Sequence, residues 1–456
     1  MVVYDILRSR WDTPLTYPVE MLNAKPTALA YDRAGNALWL GTDRGDLFTI
    51  VPGFAQWDRA VGLVRGAIER IIVAQREFAV YVNAGGEWHR VRAGSLSLDR
   101  VPDNALPADV RAQIPPVPQE LRAAIGTIGM GPQMQRWQIS DVKSADFPGE
   151  YWIATQGGGL LKYDRRFERR DWLRYGLAGP GAASIAQIGA NIWFGGDGRS
   201  QRTGVARADT QLQSWAQYDA VLGAPRGMIA EIVSFAGAIW VASSDGLHRL
   251  DPSAQPDRRA WRRFTTREGL PSEQVRALHV FGGLLWAGTD RGLIAFDSAG
   301  APAAGPLLQG RRTSRLATAD GAMLIAHDDG LWRITDPASM PVREPGTSYA
   351  GRITDVAVLA DTVFAVADGR LLRSGLVAND PALERIGSIF RLHAASGRVW
   401  VAGPRGIAHR DPVTGSWEAF TTPEDIPVTA PVLDVLPLGD DVWVATPAGA
   451  IRLRWR

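Results

Sequence analysis

The sequence contains no cysteine, which excludes disulfide staples, thiolate metal sites and a cysteine nucleophile. That absence is compatible with an oxidising compartment without establishing one. Lysine is nearly missing too: Lys25, Lys143 and Lys162 stand among 50 basic residues, the rest being arginine. Arginine presents a planar fork suited to anions and interfaces, although a coding bias yields the same composition. Charge of one sign is in short supply, the formal net charge being +2. No global field therefore points to nucleic acid or to an anionic lipid surface. No apolar run approaches the length of a membrane span. Met1-Val2-Val3-Tyr4-Asp5 lacks the basic and apolar regions of a secretory signal. The expectation is an extracytoplasmic (periplasmic) protein with its targeting segment removed, the alternative a cytoplasmic one.

Catalytic and metal motifs are equally scarce. There is no Gly-x-Ser-x-Gly elbow, no Walker loop and no Gly-x-Gly-x-x-Gly after a strand. The histidines (His89, His248, His279, His327, His393 and His409) show neither H-x-H nor E-x-x-H spacing. Asp328-Asp329-Gly330 alone is an ordinary turn rather than a calcium loop. No cofactor and no metal is expected.

What the chain does have is 49 glycines, 29 prolines, 17 tryptophans and a repeat. Leu285-Trp286-Ala287-Gly288-Thr289-Asp290-Arg291-Gly292-Leu293 has near copies at Leu38 to Gly45 and Ile239 to Leu247, and shorter ones around Trp152, Trp193, Trp400 and Trp443. Each copy reads as an apolar strand carrying Trp, a tight polar turn, a Gly and a second short strand. Taking the Trp strand as the second of four, its centres fall at Trp39, Val80, Trp152, Trp193, Trp240, Trp286, Leu324, Phe364, Trp400 and Trp443. The third strand often ends in Asp (Asp164, Asp209, Asp251, Asp297, Asp336, Asp411) and the fourth often starts with Trp (Trp57, Trp172, Trp215, Trp261, Trp417). Such spacing is that of four-stranded propeller blades. The expected fold is all-β: one closed β-propeller over 1–456 with about ten blades, eight being the alternative. Tyr4 to Leu7 or Trp11 to Thr13 would supply the fourth strand of the last blade and remove its exposed edge. A Pro-rich insertion, 103–136, separates the second and third units, with a short helix expected from Pro118 to Ile125. Insertions of this kind often carry function, and a passive linker is the other reading.

Trp261-Arg262-Arg263-Phe264-Thr265-Thr266-Arg267-Glu268-Gly269-Leu270-Pro271, then Val275, has a partner in Trp417-Glu418-Ala419-Phe420-Thr421-Thr422 with Ile426-Pro427. Weaker echoes run from Trp172 to Pro180 and from Trp215 to Pro225. With Trp-x-Gly-Thr-x-x-Gly-Leu, this pattern resembles the two-component-regulator propeller repeat. That repeat occurs in periplasmic sensor domains of hybrid histidine kinases and in stand-alone bacterial propellers. The resemblance implies a propeller and a sensing or docking role; it transfers no catalytic residue. The expectation is a stand-alone propeller, with signalling carried over only as sensing or docking.

Two sets of residues are candidates for a site. The turns after the Trp strands carry Asp43, Arg44, Arg199, Arg202, Asp245, Asp290, Arg291, Asp328, Asp329 and Arg405, which would form a charged funnel for a polar ligand or a partner's loop. The opposing reading is that Asp, Arg and Gly are good turn residues. Counting nine positions back from each Trp-strand centre gives Lys143, Glu231, Arg315, Asp355, Arg391 and Asp434, with Ala30, Ile71, Ser184 and Ala277 in the other units. These would ring the inner strands near a channel mouth, either taking a zwitterionic ligand or pairing between blades. The function that follows is non-enzymatic: a binding or scaffold propeller working through one face and the 103–136 insertion. Its partner would be another protein or a polar small ligand, with no nucleic acid, no membrane span, and a place as a subunit of a larger complex left open. The competing class is a propeller lyase or hydrolase acting on a carbohydrate or lactone at the channel mouth, and fold alone does not separate the two.

Overall fold

The computed structural model describes the chain except for residues 1–3, 6–9, 12–23, 52–56, 61–64, 75–76, 93–95, 115–116, 118, 131–135, 146, 156–157, 201–202, 221–222, 254–259, 345–350 and 456. It contains nine four-stranded antiparallel sheets and one three-stranded sheet, each a meander in sequence order, plus a two-stranded pair near the N-terminus. Numbered along the chain, the sheets span 26–59, 68–101, 139–173, 182–219, 229–264, 275–307, 313–343, 353–377, 391–421 and 434–454. Their strands are called A to D in order. All ten expected centres lie on strand B. Among the described residues, no helix is long and apolar enough to cross a membrane.

In several sheets the repeat is turn chemistry. At the end of strand B in sheet 6, the Thr289 hydroxyl donates to the Gly292 carbonyl and accepts from the Arg291 amide. Ser243 and Thr446 do the same for Gly246 and Gly449. Gly292 has φ 129°, and a Cβ there would lie 2.7 Å from the Leu307 carbonyl oxygen, so only glycine fits. The Asp at the end of strand C starts an Asx turn: Asp297 accepts the Ala299 and Ala301 amides, and Asp411 those of Val413 and Thr414. The Thr265 to Leu270 motif is a capping box. Glu268 reaches back to the Thr265 amide at 2.7 Å, Gly269 takes a left-handed φ of 101°, and Leu270 is driven into the core. Asp425 plays the part of Glu268 at Thr421.

The chain forms two compact units, Met1–Arg174 and Tyr175–Arg456. The first holds sheets 1 to 3. An apolar cluster joins sheets 1 and 2 around Trp39, Ile68 and Val82. The insertion belongs to this unit's core. After a turn at Asp103–Ala105 and a helix at Ala108–Gln113, Leu106 and Val110 pack on Ile72, Tyr81 and Trp88 of sheet 2. A 3-10 turn at Gln119–Ala124 and a helical turn at Ile125–Ile128 follow, and Leu121 and Ile128 pack on Tyr151, Ile153 and Leu161 of sheet 3.

The second unit holds sheets 4 to 10. One apolar cluster fills each boundary between consecutive sheets, from 4/5 around Trp193 to 9/10 around Trp400. A further cluster joins the last sheet to the first: Leu436, Trp443 and Ala445 of sheet 10 pack on Ile185, Phe194 and Ala206 of sheet 4. Phe194 and Trp443 meet edge to face at 5.4 Å. Each of the seven sheets is thus flanked by two others of the same unit. Sheet 10 packs on sheet 4, and the expected propeller of about ten blades stands here as an all-β chain of ten antiparallel sheets. Of the N-terminal segment read as completing the last blade, Tyr4–Asp5 pairs with Arg10–Trp11, while Ile6, Leu7, Asp12 and Thr13 lie outside the described residues; sheet 10 has three strands among the described residues. Trp455 fills the place of a strand D Trp, packing edge to face on Trp400 at 5.3 Å.

Candidate functional site

Strand A is the inner edge of every sheet in the second unit, where it meets strand A of its neighbours. In sheets 4 to 8 a register shift near the start of strand A precedes one residue: Ser184, Glu231, Ala277, Arg315 or Asp355. Arg391 and Asp434 pair with the equivalent strand B positions in sheets 9 and 10. A bulge re-aims the side chain that follows it, so these seven positions form one level.

The five charged members at that level are brought together. Arg315 Nη1 lies 3.1 Å from Glu231 and its Nε 3.5 Å from Asp355. Arg391 Nε lies 3.0 Å from Asp434, and its Nη1 3.9 Å from Asp355. An inner edge strand has backbone amides with no ladder partner, and the carboxylates take them up. Glu231 accepts the Leu278 amide of sheet 6, Asp355 the Leu392 amide of sheet 9, and Asp434 the Ile185 amide of sheet 4. Each is a clip from one sheet to the next. Burial pushes the Glu231 and Asp355 carboxyls up, against the pull of Arg315 and Arg391. Burial also holds the His279 and His393 imidazoles below their usual range, leaving both uncharged at neutral pH.

A cavity of about 460 Å³ stands on this layer. Ser184, Glu231, Arg315 and Asp434 line its floor, and His393 and Leu436 its wall; Ser396 and Gly439 place its opening on the side of the A–B turns. The charged turns read as a funnel belong to the other end of the strands. There most of them are engaged. Asp290 accepts from Arg276 at 2.9 Å and from Arg312 of the next sheet at 2.9 Å. Asp328 takes the Arg312 amide and lies 3.3 Å from Arg352. Asp329 is held by His327, Trp332, Arg311 and Arg343. Asp245 accepts from Ser243 and the Arg226 amide and contacts His248. Asp43 accepts the Lys25 amide, Arg199 reaches Asp197, and Arg405 donates to the Glu384 carbonyl. Arg44 and Arg291 are exposed; Arg202 lies outside the described residues.

Lys143 does not share the level of the inner ring residues. It pairs with Trp152, is 61% exposed and contacts Asp141 at 3.5 Å. In sheets 2 and 3 the equivalent positions are Arg70 and Asp141, themselves 3.5 Å apart. Sequence reasoning also passed over Ser184 as merely small. It is 3% exposed, lines the cavity, and its hydroxyl has no hydrogen-bond partner. Among the described residues no group of three or more His, Asp and Glu is arranged to hold a metal ion.

No family model matches the chain, and no curated protein matches its sequence. Among solved structures it is similar to two extracellular domains assigned to hybrid two component systems of B. thetaiotaomicron. One is 13% identical, with a TM-score of 0.47 over 99% of this chain; the other is 12% identical, with 0.49 over 99%. The WD40 β-propeller domain of Doa1 is 11% identical, with 0.46 over 61% of this chain and 96% of its own. This chain spans 60% of the length of the first and 70% of the second. At such identities and TM-scores these likenesses carry no inference about activity or partner.

Proposed function

We propose that the second unit is a closed seven-bladed propeller that binds a polar small molecule, without catalysis, in the cavity over its charged layer. One observation carries this reading: carboxylate, guanidinium and imidazole side chains line a single concave space within the unit. Concave sites with a few convergent polar groups are the usual form of a ligand site. Most of the charged turns at the other end are engaged with protein partners, as Asp290 is with Arg276 and Arg312, which weakens the funnel reading. The 103–136 insertion spends its apolar residues on sheets 2 and 3, which leaves less of it for docking. Sensing through a separate signalling chain and residence outside the cytoplasm belong to the same proposal, resting on the resemblance of the repeat to periplasmic sensor propellers.

The test is calorimetric titration and thermal melting of the intact chain against a panel of small amines, acids, amino acids and sugars. The same panel is run on Ala395→Trp, which fills the cavity near its opening. One class of compound should bind and raise Tm, and the filled variant should lose that response while melting as the parent does. Equal binding by the filled variant, or no binding by the parent across the panel, overturns the reading.

A further inference from the structure

In five sheets of the second unit an arginine on strand C stands opposite the strand B centre: Arg207, Arg249, Arg333, Arg373 and Arg452. A guanidinium beside an apolar seam is stabilised by a ring face or a carboxylate. Arg207 and Arg249 lie over the Trp193 and Trp240 rings, each at 5.8 Å. Arg333 faces Glu344 at 3.6 Å, and Arg452 donates to Asp441 at 2.9 Å. Arg373, opposite Phe364, has neither kind of partner among the described residues. The cause is local. Ser374 and Gly375 turn the chain back at φ 46° and 82°, strand D lasts only for Leu376–Val377, and the chain then leaves for a helix at Pro381–Ile386. No acid arrives beside Arg373 as Glu344 does beside Arg333. Leu383 and Ile386 of the helix pack into the boundary with sheet 9, and what they leave is a cleft of about 460 Å³ that shares no lining residue with the central cavity.

The walls of this cleft include Leu376, 74% exposed, Val377, 40% exposed, and half-buried Trp417. Arg373 and Arg410 line it too, and Arg410 likewise has no ion pair among the described residues. The Arg410 Nη2 lies close over the C–D turn of sheet 9, where a Cβ added to Gly415 would stand 2.6 Å from it. The one acid in the lining, Asp380, caps the helix by accepting the Ala382 amide at 2.9 Å and pairs with neither arginine. Asp411, next to Arg410 in the chain, is turned to Arg398 and to the Val413 and Thr414 amides. Even with Asp380 ionised, two permanently charged guanidiniums leave the lining net positive.

We infer that this cleft binds an organic carboxylate with a short apolar body, the carboxylate taken by Arg373 and Arg410 and the body laid on Leu376, Val377 and Trp417. A carboxylate matches the guanidinium fork, and an apolar body removes from water the surface that Leu376 and Val377 leave there. The site is separate from the central cavity and stands whether or not that cavity binds.

The probes are hexanoate, hexanamide (same body, no charge), acetate (same charge, no body) and hexylammonium (opposite charge), titrated at fixed ionic strength into the intact chain by calorimetry. Hexanoate should bind once per chain, and each of the others about tenfold more weakly or not at all. Arg373→Gln and Arg410→Gln should each weaken hexanoate about tenfold, the worth of one hydrogen bond to a charged group. Leu376→Ser should weaken it as well, by uncovering the body. Should Arg410→Gln melt lower than the parent, Arg373→Gln and Leu376→Ser, at exposed positions, decide. Ala395→Trp, in the central cavity, should leave hexanoate binding unchanged, so that each site fails or stands by itself. Binding that Arg373→Gln and Leu376→Ser leave unaltered, or that Ala395→Trp removes, overturns the cleft as the site. Hexylammonium or hexanamide binding as well as hexanoate overturns the carboxylate, and acetate doing so overturns the apolar body. No heat from hexanoate at millimolar concentration overturns the inference outright.

Discussion

At the scale of single residues, the conserved look of the repeat comes from backbone geometry rather than from chemistry on a ligand. Gly292→Ala places a Cβ 2.7 Å from a carbonyl oxygen at φ 129° and should cost about 2 kcal/mol. Gly283→Ala, at φ 75° with nothing within 4 Å of the added atom, should cost less; denaturant unfolding of the two variants measures the difference. Asp290, in a B–C turn, gives a prediction about pH. Burial works to raise the Asp290 carboxyl, but Arg276 and Arg312 hold it below the ordinary range. A carboxyl depressed in the folded state is more protonated in the unfolded one, so its contribution is full above about pH 4 and is lost as pH falls through the folded value. Asp290→Asn should therefore flatten the rise of stability with pH below that point and leave its shape near neutrality unchanged, read from Tm against pH. A curve that keeps its acid slope in the variant would place the titration elsewhere.

At the scale of strands and sheets, the period-two pattern and the turn residues made all ten strand B segments legible, including the poorly conserved-looking units at Val80, Leu324 and Phe364. The inner ring was legible in the second unit for a definable reason. Its A–B turns are all two residues long, several of them (Ala236-Gly237, Asp320-Gly321, Ser396-Gly397) with positive φ at both positions, the hairpin geometry that matches strand twist. A constant turn makes nine residues a constant distance. In the first unit the A–B turns run to four or five residues, so the same count landed on Lys143, two residues past Asp141. Ser184 escaped because nothing in a sequence marks a buried hydroxyl as unengaged. The carboxylate clips give a prediction at this scale. Asp434→Ala strands the Ile185 amide and takes from Arg391 its 3.0 Å partner, and should destabilise the second unit by about 3 kcal/mol. Asp99→Ala, which breaks an exposed pair with Arg92, should cost under about 1 kcal/mol. Equal losses by chemical denaturation would mean that the clip does not hold the seam.

At the scale of the whole molecule, the division into two units was hidden in the sequence because the repeats look alike on both sides of it. What separates them is which sheet packs on which, and that depends on long-range contacts: Trp443 with Phe194, and Asp434 with the Ile185 amide. If the seven sheets close on themselves, every apolar boundary of the second unit is satisfied from within it, and no sheet 4 or sheet 10 face awaits a partner from residues 1–174. A chain starting at Tyr175 should then fold cooperatively, keep its near-ultraviolet signal from the packed tryptophans, and retain the cavity's ligand response. A chain of 175–433 lacks sheet 10, so it exposes Phe194 and leaves Arg391 without its 3.0 Å partner; it should be molten or aggregate. A ring that needs all ten sheets predicts the reverse for the first of these: residues 175–456 alone would expose apolar faces on sheets 4 and 10 and fail in the same way. Circular dichroism and size-exclusion of the two truncations, side by side, decide between a seven-sheet and a ten-sheet closure, because only the seven-sheet seam makes the loss of 1–174 tolerable and the loss of 434–456 fatal.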